Sequence, residues 1–408
     1  MNTETSRLES LAARRAAKPR FAVRSLLVVA SLMFAVGLIE LPAFFNIVDY
    51  REILGNNFAW WPINNVKDPE LIHTRRPYVH FSGETRGGRA KYGWVIPSSD
   101  LTLYHWDVKC DRYGFRNETD LKSADTIVIG DSFVEGVTVP EAQLTTSLLA
   151  HVTGKTVANL GQGNWGPQQE LVVLKRYGLP LRPRTVVWMF SEGSDLKDVI
   201  HYDYDLHHPT DFWHAYLQRS FLHIELARLR TPAGLPGMKR AGLLQQPNDK
   251  TVTMYFMNPA KPLTEAEIGA IDETAQIIKE AYSLSAAQGA QLIFVFAPEK
   301  FRVFHDFCHY PQQSDCRNWT VNDMPERMEK AIRAISPNLG YVDLTPSLVE
   351  AVKAGAVPYY PDDDHWAPDG HKVAAETINQ YLGSSDAGAK DKVASQSQGS
   401  TQNSTHAQ

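Results

Sequence analysis

Cysteine is scarce in this chain, three residues in 408, and none has a second Cys or His pair at ligand spacing, which argues against a zinc site. Cys308 and Cys316 enclose the short loop 309–315 and are placed to pair in an oxidising compartment. Cys110 is then left over, and it reads as a small buried residue because only Lys109 is at hand to stabilise a thiolate. Charge of one sign is also lacking. Lys and Arg number 41 against 46 Asp and Glu, a net charge of -5, and no basic patch is interleaved with aromatics, so nucleic acid is not an expected partner. No internal repeat is visible. Residues 384–408 lack large apolar side chains and are rich in Ser, Gln, Ala and Gly; such a segment buries too little surface to offset its ordering entropy and is predicted to be disordered.

One long apolar run is present. Arg7, Arg14, Arg15, Lys18, Arg20 and Arg24 outnumber Glu4 and Glu9 and precede the run from Ser25 to Ile39, which Leu41 to Phe45 extend toward the roughly 20 residues a helix needs to cross a bilayer. Basic residues stay on the cytoplasmic side, so the remainder of the chain is expected outside, as a single-pass inner-membrane protein with its domain in the periplasm. Glu40 is tolerable only near the far interface, a carboxylate at the bilayer centre being expensive. A cleaved signal peptide is the alternative. Against it stand the long basic region and bulky Leu41 two positions before Ala43. The predicted organisation is a basic tail over 1–24, a signal-anchor over 25–45, a β-rich lead-in over 46–123 and a catalytic domain over 124–383.

With 43% hydrophobic residues the chain can bury a substantial core. From Thr126 onward strand and helix patterns alternate. Strands are predicted at Thr126 to Ile129, Thr156 to Asn159, Thr185 to Phe190, Gln291 to Phe296 and Tyr341 to Leu344. Helices are predicted at about Glu141 to Val152, Gln168 to Tyr177, Thr264 to Gln288, Met324 to Ile335 and Pro368 to Tyr381. This alternation predicts an α/β fold, a doubly wound parallel sheet with helices on both faces. Trp60, Trp61, Trp94 and Trp106 of the lead-in read as packing residues. An insertion over about 201–261, rich in His and aromatics, with a helix from Phe212 to Leu229, follows the third strand and suggests a lid or substrate wall.

Two short peptides carry the chemistry. The apolar run Thr126 to Ile129 stops at Gly130-Asp131-Ser132, where a parallel strand delivers functional groups at its carboxyl end. Ser132 is the candidate nucleophile, although such a tripeptide is commonly a plain turn. A serine needs a base that is itself oriented by a third group. Asp362-Asp363-Asp364-His365 supplies both late in the chain, His365 as base and an aspartate behind it.

These residues resemble the SGNH/GDSL hydrolase superfamily, with its flavodoxin-like sheet, over about Tyr113 to Ala375. Gly130-Asp131-Ser132-Phe133 is similar to the first block and Asp362 with His365 to the Asp-x-x-His block. The resemblance selects Asp362 as the orienting acid over Asp363 and Asp364. It implies an oxyanion hole of the Ser132 N–H, a second-block residue that falls on Asn164, with Gly163 as fallback, and a third-block donor that here is Ser194 in place of asparagine. No cofactor or metal is implied. The layout is similar to membrane-anchored bacterial proteins of polysaccharide O-acetylation, so an exported serine esterase or O-acyltransferase acting on acylated carbohydrate is expected, with envelope-assembly partners possible. The alternatives are a catalytically weakened domain serving as a glycan-binding or assembly scaffold, and a metal-dependent phosphoesterase using the acidic triplet.

Overall fold

Five short runs dense in β-branched and aromatic residues pair in parallel to form the central sheet: β1 (Thr126–Gly130), β2 (Val157–Gly161), β3 (Thr185–Ser191), β4 (Gln291–Ala297) and β5 (Gly340–Asp343). Their spatial order is β5-β4-β3-β1-β2, all parallel. The chain therefore reverses its direction of travel between β1 and β3, and an open α/β sheet binds its ligand in the crevice beyond the strand ends at such a switch point. The computed structural model describes residues 2–50, 65–90, 94–208, 212–230, 235–247 and 249–384. Trp60, Trp61 and the tail beyond residue 384 lie outside the described residues.

Alternation along the strands divides the core between the two faces of the sheet. Ile127, Ile129, Trp188, Phe190, Phe294 and Phe296 face the helices Pro167–Val173, Glu265–Ala287 and Met324–Ile335. Val128, Val187, Met189, Ile293 and Val295 face Leu149, Phe304, Leu348 and the helix 368–384. The long helix starts where Thr264 accepts from Glu267 N while the Glu267 carboxylate accepts from Thr264 N, a capping box. These elements agree with the predicted strands and helices to within a few residues. Three helices, Asp195–His207, Lys300–Phe304 and Thr345–Lys353, were not among those expected.

The described residues divide into two units. The sheet, with residues 64–209 and 233–408, forms the larger, and residues 1–63 with 210–232 the smaller. Within the larger unit the lead-in forms antiparallel hairpins, Asn65–Asp68 with Ile72–Arg75 and His80–Arg86 with Leu103–Lys109. Within the smaller, Asn2–Phe44 is one helix, and its segment Val23–Phe44 has a mean hydropathy of 2.2 over 22 residues, long and apolar enough to cross a membrane. The expected helix Phe212 to Leu229 is broken at Ser220 into Phe212–Arg219 and Phe221–Arg230. Phe212, Trp213 and Tyr216, within the insertion expected to form a lid or substrate wall, pack around Phe44, with ring centroids 5.1, 6.3 and 5.6 Å away.

Candidate active site

Strand β1 ends at Gly130, and the next residue caps a single helical turn, Ser132–Glu135. The Asp131 carboxylate accepts from Phe133 N at 2.9 Å, and Gly136 closes the turn with a left-handed φ of 59°. That conformation strains any residue with a Cβ. Ser132 is thereby lifted to the first position of the turn, half-exposed, with its backbone N–H pointing away from the helix's own acceptors. Its Oγ lies 2.8 Å from His365 Nε2. Two peptides 233 residues apart thus meet at the carboxyl end of β1.

Asp363 stands behind the imidazole, its Oδ1 2.5 Å from His365 Nδ1. The same oxygen accepts from His365 N at 3.0 Å, an Asx-type turn that directs an aspartate toward the residue two positions on. Asp363 Oδ2 accepts from Arg89 N at 2.8 Å. Burial disfavours its charge, yet the His365 charge and hydrogen bond and the Arg89 N–H hold it well below the usual carboxylate range. Burial likewise pulls the His365 pKa down, and Asp363 outweighs it, so the imidazole sits above its ordinary 6.5.

Asp362, the acid selected by the family pattern, does not face His365. Its fully buried carboxylate accepts from Tyr104 Oη at 2.7 Å, Gly88 N at 2.8 Å and Thr102 N at 3.1 Å. Adjacent side chains on this turn diverge, so Asp362 faces the lead-in and Asp363 the base. Gly88 is required there, because a Cβ would lie 2.5 Å from Asp362 O. Asp364 turns a third way, 3.4 Å from Met257 N and from Asn258 Nδ2. With its carboxylates aimed at three different sets of partners, the triplet lacks the convergence that a metal-ligating cluster needs.

The base loop has an unusual support. Lys300 is 1% exposed, and its Nζ donates to Tyr255 O, Tyr360 O, Pro361 O and Asp363 O at 2.7 to 3.1 Å. Burial pulls its pKa down to about 8 against the attraction of Asp364, Asp362 and Asp363. The nucleophile turn has a comparable support in Glu135, whose carboxylate accepts from buried Arg75 Nε at 2.8 Å and from Gly163 N at 3.0 Å.

The oxyanion donors fall unevenly. Asn164 holds a left-handed φ of 62°, which asparagine tolerates better than most residues, and among the described residues no acceptor takes its N–H or that of Ser132. Gly163, the fallback, has already given its N–H to Glu135. The Ser194 hydroxyl is not directed at the nucleophile either. It donates to Asp131 Oδ2 at 2.8 Å, a carboxylate fully buried beneath it, and a serine hydroxyl has only one proton to give. Burial raises the pKa of Asp131 and lifts those of neighbouring Glu170 and Asp195 well above the carboxylate range, so the floor of the site is an acidic cluster in which added negative charge is disfavoured.

All three cysteines are free thiols, and burial pushes Cys110 and Cys308 up to about 12. Arg75, Glu135, Lys300 and the Gly88-Arg89 donors escaped the sequence reading. Lys300 had one legible signal, a cation opening a short apolar helix.

The family model for the ALGX SGNH hydrolase-like domain, acetyltransferase AlgX, matches residues 256–407. That span includes Asp363 and His365 and stops short of Ser132. Similar solved structures include a GDSL-like lipase from Bacteroides thetaiotaomicron, 13% identical over 64% of this chain and 88% of that one, with a TM-score of 0.32. An acetyl xylan esterase, AlAXEase, is 12% identical over 63% of this chain and 99% of its own, with a TM-score of 0.34. A comparison with curated proteins finds no match. The family match over residues 256–407 and the meeting of Ser132 with His365 at the sheet's switch point make the α/β domain of this chain similar to SGNH hydrolase-like domains.

Proposed function

We propose that the protein is a serine esterase or O-acyltransferase, exported and tethered by its N-terminal helix, that works on acylated carbohydrate through Ser132, His365 and Asp363. The observation that carries this reading is the unbroken relay from Ser132 Oγ through His365 to Asp363, at 2.8 and 2.5 Å. His365 Nε2 removes the hydroxyl proton as Oγ attacks the ester carbonyl. The same nitrogen returns it to the departing alcohol, leaving an acyl group on Ser132. Asp363 holds the proton on Nδ1 and stabilises the imidazolium that forms between the two steps. The Ser132 and Asn164 N–H groups receive the developing oxyanion, each such donor being worth roughly 3 kcal/mol in the transition state. Water then frees the acid, or a sugar hydroxyl carries the acyl group away. The family description as an acetyltransferase supports acetyl as the group transferred and a transferase alongside the esterase.

A fluorophosphonate probe tests the reading. The folded chain is expected to be labelled and Ser132→Ala to remain unlabelled; a folded wild-type chain that takes no label would sink the proposal. That outcome would favour the second reading, a weakened domain that binds glycan, which draws on one observation: Ser194 gives its only proton to Asp131 and leaves two donors for the oxyanion.

A further inference from the structure

The apolar helix ends in an arrangement that a plain anchor does not need. Glu40 lies in the last turns of the span Val23–Phe44, where a carboxylate without partners is costly. It is buried, and both its oxygens are taken by the inserted helix pair: Tyr216 Oη donates to one at 2.8 Å and Leu222 N to the other at 2.6 Å. The helix's terminal carbonyls, which have no N–H donors within the helix to pair them, find donors nearby. Arg219 Nε donates to Ala43 O and Tyr50 Oη to Ile39 O, each at 2.6 Å.

Tyr216, Arg219 and the Leu222 N–H of the pair are therefore turned inward, and an apolar stripe is left open. Trp213 and Leu217 stand four residues apart on one helix and Leu222 and Leu226 on the next, one stripe each, and they are 38 to 63% exposed. Phe45, at 65%, joins them to the span itself. An exposed apolar patch of this kind marks an interaction surface. Its continuity with the span and its Trp and Leu composition match elements that lie in the plane of a bilayer interface.

We propose that helices Phe212–Arg219 and Phe221–Arg230 form a membrane-interface collar around the end of the apolar helix, their open stripe immersed among lipid headgroups and upper acyl chains. The inference rests on the reading of the N-terminal helix as a membrane tether. The collar satisfies Glu40 and the helix end from inside and meets lipid on its outer side.

The test uses the full-length chain in vesicles of phosphatidylethanolamine and phosphatidylglycerol. Trp213→Cys, Leu217→Cys and Leu226→Cys are labelled with an environment-sensitive fluorophore, with Val29→Cys as the span control, Glu350→Cys as the aqueous control and the labelled wild type as background. Labels at 213, 217 and 226 are expected to lose emission to lipids carrying a doxyl group near the headgroup. The label at 29 should lose it to lipids carrying doxyl deep in the chain, and the label at 350 to neither. Quenching at 29 without quenching at the three collar positions overturns the collar and leaves the tether standing. Protection of those positions from both doxyl lipid and aqueous iodide also overturns it, because a protein then covers the face. Absence of quenching at 29 removes the tether, and the collar with it.

Discussion

The proposed nucleophile and the proposed base are held by different means. Ser132 sits on a turn shaped locally by β1, the Asp131 cap and left-handed Gly136, and braced at its far end by Arg75 on the Glu135 carboxylate and Arg116 on the Glu135 and Gly136 carbonyls. His365 sits on a loop held from outside: Lys300 takes four of its surrounding carbonyls, and the lead-in hairpin supplies Gly88, Arg89, Thr102 and Tyr104 to the two aspartates before it. A local cap therefore sets where the hydroxyl stands, whereas the imidazole is aimed only by contacts from three separate stretches of chain. Changes at Ser132 itself should act on chemistry alone, and changes around His365 on chemistry and folding together.

The sharpest break is Ser132→Ala, expected to lower acetyl release by about 10⁴-fold or more while leaving the melting temperature unchanged. Asp363→Asn should cost on the order of 10³- to 10⁴-fold in turnover by losing the tautomer that Asp363 fixes. Asp362→Ala should instead act mainly on stability, by roughly 3 kcal/mol in denaturant titration, since two N–H groups and the Tyr104 hydroxyl lose a buried acceptor. Equal turnover losses with no stability difference between the two would erase the division of labour between these neighbours. Lys300→Met removes the shared donor from four carbonyls and is expected to destabilise by about 3 kcal/mol. It should lower kcat more than it raises KM, because the displaced group is the proposed base.

The pH profile sharpens the comparison further. His365 must be neutral to accept the serine proton, and Asp363 raises its pKa, so kcat/KM should fall on the acid side with a midpoint above 6.5. Asp363→Asn should move that midpoint down. For stability the sign is opposite: the His365–Asp363 contribution is fully present below pH 6.5 and is lost as pH rises through the folded-state pKa. The smallest expected effect is that of Tyr216→Phe, which leaves Glu40 with one donor instead of two and should cost about 1 kcal/mol in thermal unfolding of the detergent-solubilised chain.

Most of the sheet was legible because its strands are buried on both faces and read as unbroken apolar runs. Ser132 and His365 were legible because each ends such an element. The choice of acid was not, since a three-residue and a two-residue separation both suit a bent loop, and only donors from residues 88 to 104 decide which carboxylate turns toward the imidazole. Ser194 was misread for a related reason: the sequence locates a hydroxyl near the site but cannot reveal that buried Asp131 claims its proton. The rings of the insertion are visible in the sequence, but not that three of them pack on Phe44 or that Tyr216 meets Glu40, some 170 residues earlier.

The grip of the lead-in on the base loop has a bearing on how this protein can be dissected. A shortened chain starting at residue 124 would retain all five parallel strands and both short peptides, and on sequence grounds would pass for a complete domain. It would nevertheless have shed the amides that hold Asp362 and Asp363 apart, together with Arg75 and Arg116, which brace the end of the serine turn. The shortest chain that keeps both peptides braced therefore begins some sixty residues earlier, at the first hairpin.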